Sequence, residues 1–240
     1  MQFTSEQRLD DGVLERDFIL GEIPGVLWTS GSAPAPLILS GHNGGLHKRN
    51  PRLVARARHH AAEYGFAVAA IDAPGHGDRP RSAVDEQARA DLRRAIESGE
   101  PVEDIVDAFI IPLVESAVPE WRATLDALLS LPEIGGPVGY AGMTAIGIRL
   151  GVVEPRISAA LFFAGGFVPD VLRAEAQQVT IPLQFLLQWD DEGMERQPAL
   201  DLFDAFGARD KTLHANLGGH AGVPWFEVDD GARFFARHLR

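Results

Sequence analysis

Short apolar runs of strand length alternate along the chain with longer stretches whose apolar residues recur at helical spacing. "GVLWTS" and "PLILSG" read as strands, and "PRLVARARHHAAEYG" has helical periodicity with Gly65 as its stop. "FAVAAID" is an almost unbroken apolar run, the pattern of a parallel strand covered on both faces. Downstream, "IGIRLGVVEP" predicts a helix and "ISAALFFAG" and "IPLQFLLQW" predict strands. "QPALDLFDAFG" then predicts a helix, "KTLHANL" a strand and "VDDGARFFARHL" a closing helix. From about residue 35 onward this order predicts an α/β fold, a mostly parallel sheet with helices on both faces.

One segment breaks the alternation. Residues 81–135 carry two helical patterns and no strand pattern. "AVDEQARADLRRAIESG" is charged and weakly amphipathic. "VEDIVDAFIIPLVESAVPEWRATLDALLSL" is more apolar, with Pro112 and Pro119 expected as breakers. Its later part is long enough for one crossover helix, so residues from about 79 to 112 are expected to form a helical cap above the sheet. The cap sits within a single domain, 1–240.

Composition narrows the functional classes. With 45% apolar and 23% charged residues the chain reads as an ordinary globular protein. A formal charge of −12 argues against nucleic acid and against anionic membranes, both of which need clustered Lys and Arg. The absence of cysteine removes disulfides, thiolate zinc sites and a thiol nucleophile. From the polar, acidic start "MQFTSEQRLDDGVLERDF" no signal peptide is expected, and no apolar run is long enough to span a bilayer. The expected location is cytoplasmic.

Candidate chemistry centres on "GPVGYAGMTAIG", where small, strand-compatible residues lead into a helical pattern. A sharp strand-to-helix turn is how one large group of hydrolases presents a nucleophile. "WDDEGMER" follows the strand "IPLQFLLQ" and brings two carboxylates, Asp190 and Asp191, to its C-terminal end. "KTLHANLGGHAGVPW" offers His214 within a strand pattern and His220 on a loop with Gly218, Gly219 and Gly222. "GHNGGLHK" after "PLILS" is a glycine-rich loop able to aim backbone amides inward. Its His42 and His47 have no carboxylate at ligand spacing, so no metal is expected.

In these motifs, and in "DAPGHGD" from Asp72 to Asp78, the chain resembles the α/β-hydrolase fold superfamily, as in serine esterases and dienelactone-hydrolase-like proteins. The resemblance implies an elbow of the form G-x-nucleophile-x-G, and both Ala141 and Thr144 fit its centre locally. Family spacing from the nucleophile to a proline-basic pair favours Ala141, which stands fourteen positions before Pro155 where Thr144 stands eleven. Placing Thr144 at the apex would also draw Ala141 and Gly142 into a strand, where glycine packs poorly. Ala141 is therefore expected at the apex, in place of a serine. The implied acid is Asp191, with Asp190 as fallback, and the implied base is His220. The implied oxyanion donors are the amide of Gly142 and one from Asn43 or Gly44. "DAPGHGD" is implied to be structural, with His76 doing no chemistry.

The expected activity is that of a serine hydrolase of carboxylic esters or related acyl compounds, disabled by an engineered Ser→Ala replacement. The alternative is a natural relative that binds a ligand without catalysis. Expected pocket walls are Leu46, Met143, Phe167 and Trp225, with Phe109 and Ile110 from the cap. These point to a neutral or hydrophobic small-molecule substrate, with no cofactor and a homodimer left open.

Overall fold

A computed structural model describes residues 1–31, 34–164 and 166–239. Its strands are β1 (Gln2–Arg8), β2 (Leu14–Leu20), β3 (Ile23–Thr29), β4 (Ala35–Ser40) and β5 (Ala67–Ile71). β6 (Ile134–Gly142), β7 (Ile157–Phe163), β8 (Leu183–Gln188) and β9 (Lys211–Asn216) follow. They form one sheet in the order β1-β2-β3-β5-β4-β6-β7-β8-β9. From β5 across to β9 every neighbouring pair is parallel, and β1, β2 and β3 are added antiparallel at the β5 side. The last residue of the "ISAALFFAG" run, Gly165, lies outside the described residues.

The hydropathy pattern does not predict β1 and β2. β1 is exposed along most of its length, so it carries no apolar alternation. Its partners hold it instead: Ser5 Oγ donates to Asp17 Oδ2 at 2.6 Å, and the Arg16 guanidinium lies 4.2 Å from the centre of the Phe3 ring. A polar antiparallel edge of this kind is recognisable only once its neighbour is known.

Helices α1 (Pro51–Tyr64), α2 (Ala83–Ser98), α3 (Glu103–Leu129) and α4 (Thr144–Val153) are joined by α5 (Asp170–Glu175), α6 (Arg196–Ala205) and α7 (Phe226–His238). α1 is bounded as the sequence predicts. Asn50 caps its first turn, Pro51 opens it, and Gly65 closes it at φ 72°, donating its N–H to Ala61 O. α1 and α7 bury Leu53, Ala57, Phe234 and Phe235 against one sheet face. α3, α4 and α6 bury Trp121, Leu125, Ile148 and Leu202 against the other.

α3 runs unbroken through Pro112 and Pro119, so neither proline acts as the expected breaker. The expected cap boundary near 112 falls inside this helix. A proline in a helix interior costs about 3 kcal/mol through its missing N–H and its ring. Ten buried side chains along α3, among them Val114, Trp121 and Leu125, outweigh that cost. α2 packs on α3. Helix-forming loops and strand ends converge beside this pair, and a cavity lies there.

Candidate active site

The cavity, about 540 Å³, is lined by the loop after β4, by α2 and the start of α3, by the β6–α4 turn, by the loop after β7, and by Met194 and His220. β8 and β9 run parallel in register, Gln188 opposite Asn216, so the loops that follow them emerge side by side. That adjacency brings Asp191 and His220 together. His220 Nδ1 lies 2.6 Å from Asp191 Oδ2; the carboxylate accepts, so Nδ1 carries the proton and Nε2 is left as an acceptor. The Asp191 side chain is 6% exposed and that of His220 51%, so the carboxylate is shielded while the imidazole faces the cavity mouth. Asp191 is oriented in turn by the N–H of Gly193, at 2.9 Å.

Asp190 does something different. Its carboxylate accepts from the N–H groups of Gly218 and Gly219 at 2.9 to 3.0 Å, which holds it below the usual carboxylate range. Gln188 Nε2 donates to Gly219 O, and the Arg52 guanidinium donates to the carbonyls of Ala221 and Val223. The loop carrying His220 is thus tied down from three elements. His214 faces away, 2.8 Å from the buried Glu227 carboxylate.

The strand-to-helix turn departs from the sequence expectation. β6 continues through Gly142, with Ala141 opposite Ser40 on one side and Leu161 on the other. Ala141 is 3% exposed and belongs to the buried cluster on the α1/α7 face that also holds Leu53, Phe234 and Phe235. Neither it nor Gly142 lines the cavity. The turn is made by Met143, at φ −57° and ψ 121°, and Thr144 opens α4. Glycine is tolerated at the strand end because another backbone crosses it. A Cβ on Gly142 would stand 2.8 Å from the Cα of Gly41, whose N–H donates to Ala141 O. The expectation that Ala141 is the apex is therefore corrected: the residues presented to the cavity are Met143, Thr144 and Ala145.

Thr144 is the one hydroxyl side chain among the lining residues. Its Oγ1 donates to Phe163 O at 3.0 Å, and the Phe163 ring meets the His220 ring at 5.3 Å between centroids. The first helical bond of α4 is from Gly147 N–H to Met143 O, so the amides of Thr144, Ala145 and Ile146 have no intrahelical acceptor. Among the described non-glycine residues, only Ala164 and Phe167 have positive φ, at 66° and 53°, and both line the cavity. Such backbone is uncommon away from glycine and concentrates at functional sites.

Asn43 and Gly44 also line the cavity, on a loop whose Gly41 lies against Gly142 and Met143 of the β6–α4 turn. Their loop is pinned by His42, whose Nε2 accepts from Ala73 N–H at 3.1 Å and whose Nδ1 therefore donates to Asn43 O at 2.9 Å. Burial keeps His42 neutral by lowering its pKa. Lys48 anchors the same loop, its ammonium 2.7 Å from the fully buried Asp72. Of the expected walls, Phe109, Ile110, Met143 and Phe167 line the cavity. Leu46 and Trp225 do not. Leu46 is carried outward on the exposed part of its loop, and Trp225 packs edge-on against His59. Three arginines that the sequence reading did not place here, Arg81, Arg89 and Arg93, also line it.

One group of metal-capable side chains stands among the described residues, away from the cavity: His214, Glu227 and Asp230. Its atoms already engage one another and Asn216 and Arg233.

No protein-family model matches the chain, and no curated protein does. Solved structures do. A PEG-bound cold-adapted esterase from an Arctic intertidal metagenomic library is 30% identical, with all of both chains covered and a TM-score of 0.79. TT1662 from Thermus thermophilus, at 18% identity, covers 99% of this chain and 98% of its own with a TM-score of 0.65. An acetyl xylan esterase from Paenibacillus sp. R4, at 14% identity, covers 99% and 88% with a TM-score of 0.67. With its sheet order, its loops gathered at the strand ends and a relative matched over both full lengths, the chain belongs to the α/β-hydrolase fold superfamily.

Proposed function

We propose that the cavity is an acyl site for small carboxylic esters, with Asp191 and His220 as acid and base. The observation that carries this reading is the 2.6 Å Asp191–His220 contact at a cavity mouth shared with Thr144. The esterases among the structural relatives support the same acyl chemistry. In this reading Nε2 of His220 takes the proton of a hydroxyl at position 144 as that oxygen attacks the ester carbonyl. The amides of Ala145 and of Asn43 or Gly44 receive the charge that develops on the carbonyl oxygen. His220 then returns the proton to the departing alcohol, and water releases the acyl group by the same route.

Threonine is a poor occupant of this position. Its hydroxyl is committed to Phe163 O, and its β-methyl restricts rotation toward His220. A branched residue also resists the strained conformation that elbow nucleophiles take. The chain as it stands is therefore a slow enzyme or a disabled one. The hydroxyl bond to Phe163 favours a second reading, a non-catalytic ligand-binding member of the fold.

A paired assay on short p-nitrophenyl esters separates them. Thr144→Ser should raise kcat/KM by about two powers of ten or more, and His220→Ala should abolish the gain. Ala141→Ser should do nothing, because that side chain is enclosed between strands and helices. An inert Thr144→Ser with native circular dichroism rejects the hydrolase reading for these esters and leaves the binding protein. Activity gained by Ala141→Ser would instead return the missing nucleophile to position 141.

A further inference from the structure

The cavity has two unlike walls. Phe109, Ile110, Met143 and Phe167 are apolar, whereas α2 and the loop before it contribute Arg81, Arg89 and Arg93 against a single lining carboxylate, Glu86. Acidic residues outnumber basic ones 34 to 22 in this chain, so a cavity with three arginines and one acid runs against its composition.

Arg81 accounts for Glu86, at 3.7 Å, and also donates to Gly75 O. No carboxylate lies within ion-pair distance of Arg89 or Arg93 among the described residues. Arg89 is held in place without being neutralised. Its Nη2 donates to His76 Nε2 at 2.8 Å, and its guanidinium lies 4.8 Å from the centre of the Phe109 ring. Its Nε is buried with no hydrogen-bond partner. Burial and the neighbouring charges of Arg81 and Arg93 lower the pKa of Arg89 and outweigh the opposing pull of Asp85 and Glu86. His76 is kept neutral, its pKa pushed down to about 4 by burial, and with Nδ1 donating to Pro74 O it offers Nε2 only as an acceptor. An anion in the cavity would relieve the crowding by balancing these charges.

We propose that the cavity selects small esters that also carry a carboxylate, held by Arg89 and Arg93, with the apolar part against Phe109 and Phe167 and the ester toward His220. The ester half rests on the acyl-site reading; the carboxylate half does not. His76 is a positioning residue that aims Arg89. The proposal departs from the neutral or hydrophobic substrate expected from the sequence.

The test is calorimetric binding to the unaltered chain, which requires no turnover. Benzyl hydrogen succinate is compared with its neutral methyl diester and with benzyl phosphate. The hemiester should bind about tenfold or more tightly than the diester, with an advantage that shrinks in salt and is lost in Arg89→Gln. Arg93→Gln, at an exposed position, should weaken it in the same direction. Equal or tighter binding of the diester overturns the proposal, as does an anion preference that survives both substitutions or no binding of either succinate. Tighter binding of benzyl phosphate overturns the choice of carboxylate. A Thr144→Ser variant that hydrolyses neutral and anionic esters alike rejects this proposal and spares the acyl site. Arginine-dependent hemiester binding beside an inert Thr144→Ser does the reverse.

Discussion

The hydroxyl of Thr144 donates to the backbone oxygen of Phe163, and the side chain of that same Phe163 leans edge-on against His220. Hydroxyl and base are thus both fastened to one residue at the end of β7. Attack by Thr144 requires the hydrogen bond to break first, a cost of about 1 kcal/mol before any chemistry begins. Thr144→Val keeps the shape and removes the hydroxyl. Stability should fall by about 1 kcal/mol in urea titration, because Phe163 O loses its donor. Any ester hydrolysis by the parent chain should disappear; hydrolysis at the parental rate would exclude Thr144 as nucleophile.

The two neighbouring aspartates should respond differently to substitution. In the Thr144→Ser background, Asp191→Asn leaves the packing intact and deprives His220 of its negative partner. A loss of about a thousandfold or more in kcat is expected, with little change in KM. Asp190→Ala should instead release the amides of Gly218 and Gly219. Hydrogen exchange across residues 217–223 should quicken in that variant. Equal kinetic losses from both substitutions would contradict the division of labour.

Lys48 ties the cavity loop after β4 to the "DAPGHGD" loop through Asp72, and its side chain is almost as buried as that of Asp72. Removing one partner strands a buried charge. Lys48→Met should cost about 3 kcal/mol, measured by urea denaturation, and Asp72→Asn added to it should recover part of the loss. A Lys48→Met variant as stable as the parent would mean that the backbone bond from the N–H of residue 48 to Asp72 Oδ1 suffices to hold the loop.

Acid should destabilise the fold well above the range where carboxylates titrate. Burial depresses His60 to about 3 and His76 to about 4 in the folded chain, whereas both recover the ordinary value near 6.5 on unfolding. The unfolded chain therefore binds more protons between those values. Stability is full above about 6.5 and is lost as the pH falls toward 4, by up to about 1.4 kcal/mol per unit for each histidine. Urea titrations at pH 7 and pH 5 should show the loss, and His76→Gln should reduce it. A flat profile over that interval would contradict neutral burial of both rings.

Much of the fold was legible in the chain because one parallel layer needs continuous apolar strands, and "FAVAAID", "ISAALFF" and "LQFLLQ" are of that kind. The pairing of Asp191 with His220 was legible for a related reason. Each follows a predicted strand, and strands that are adjacent and parallel release their loops at the same edge. The polar β1 and β2 gave no such signal, since their stability comes from partners distant in the chain or across a turn.

The turn itself was decided by tertiary contacts. Glycine is a weak strand former, which argued for ending β6 before Gly142, but Gly41 lies so close that no larger residue fits there. Ladder pairing of Ala141 on both sides and of Gly142 with β7 then carries both into the sheet and leaves Thr144 to start the helix. The arginines show the same limit. A charged helix pattern in "AVDEQARADLRRAIESG" marks α2 as partly solvated, and only its packing on α3 determines that Arg89 and Arg93 turn into the cavity. Local periodicity determines which elements form, because it reports how a segment meets water. Which residue stands where two backbones cross, and which charge is shut into a cavity, depends on atoms that come from elsewhere in the chain.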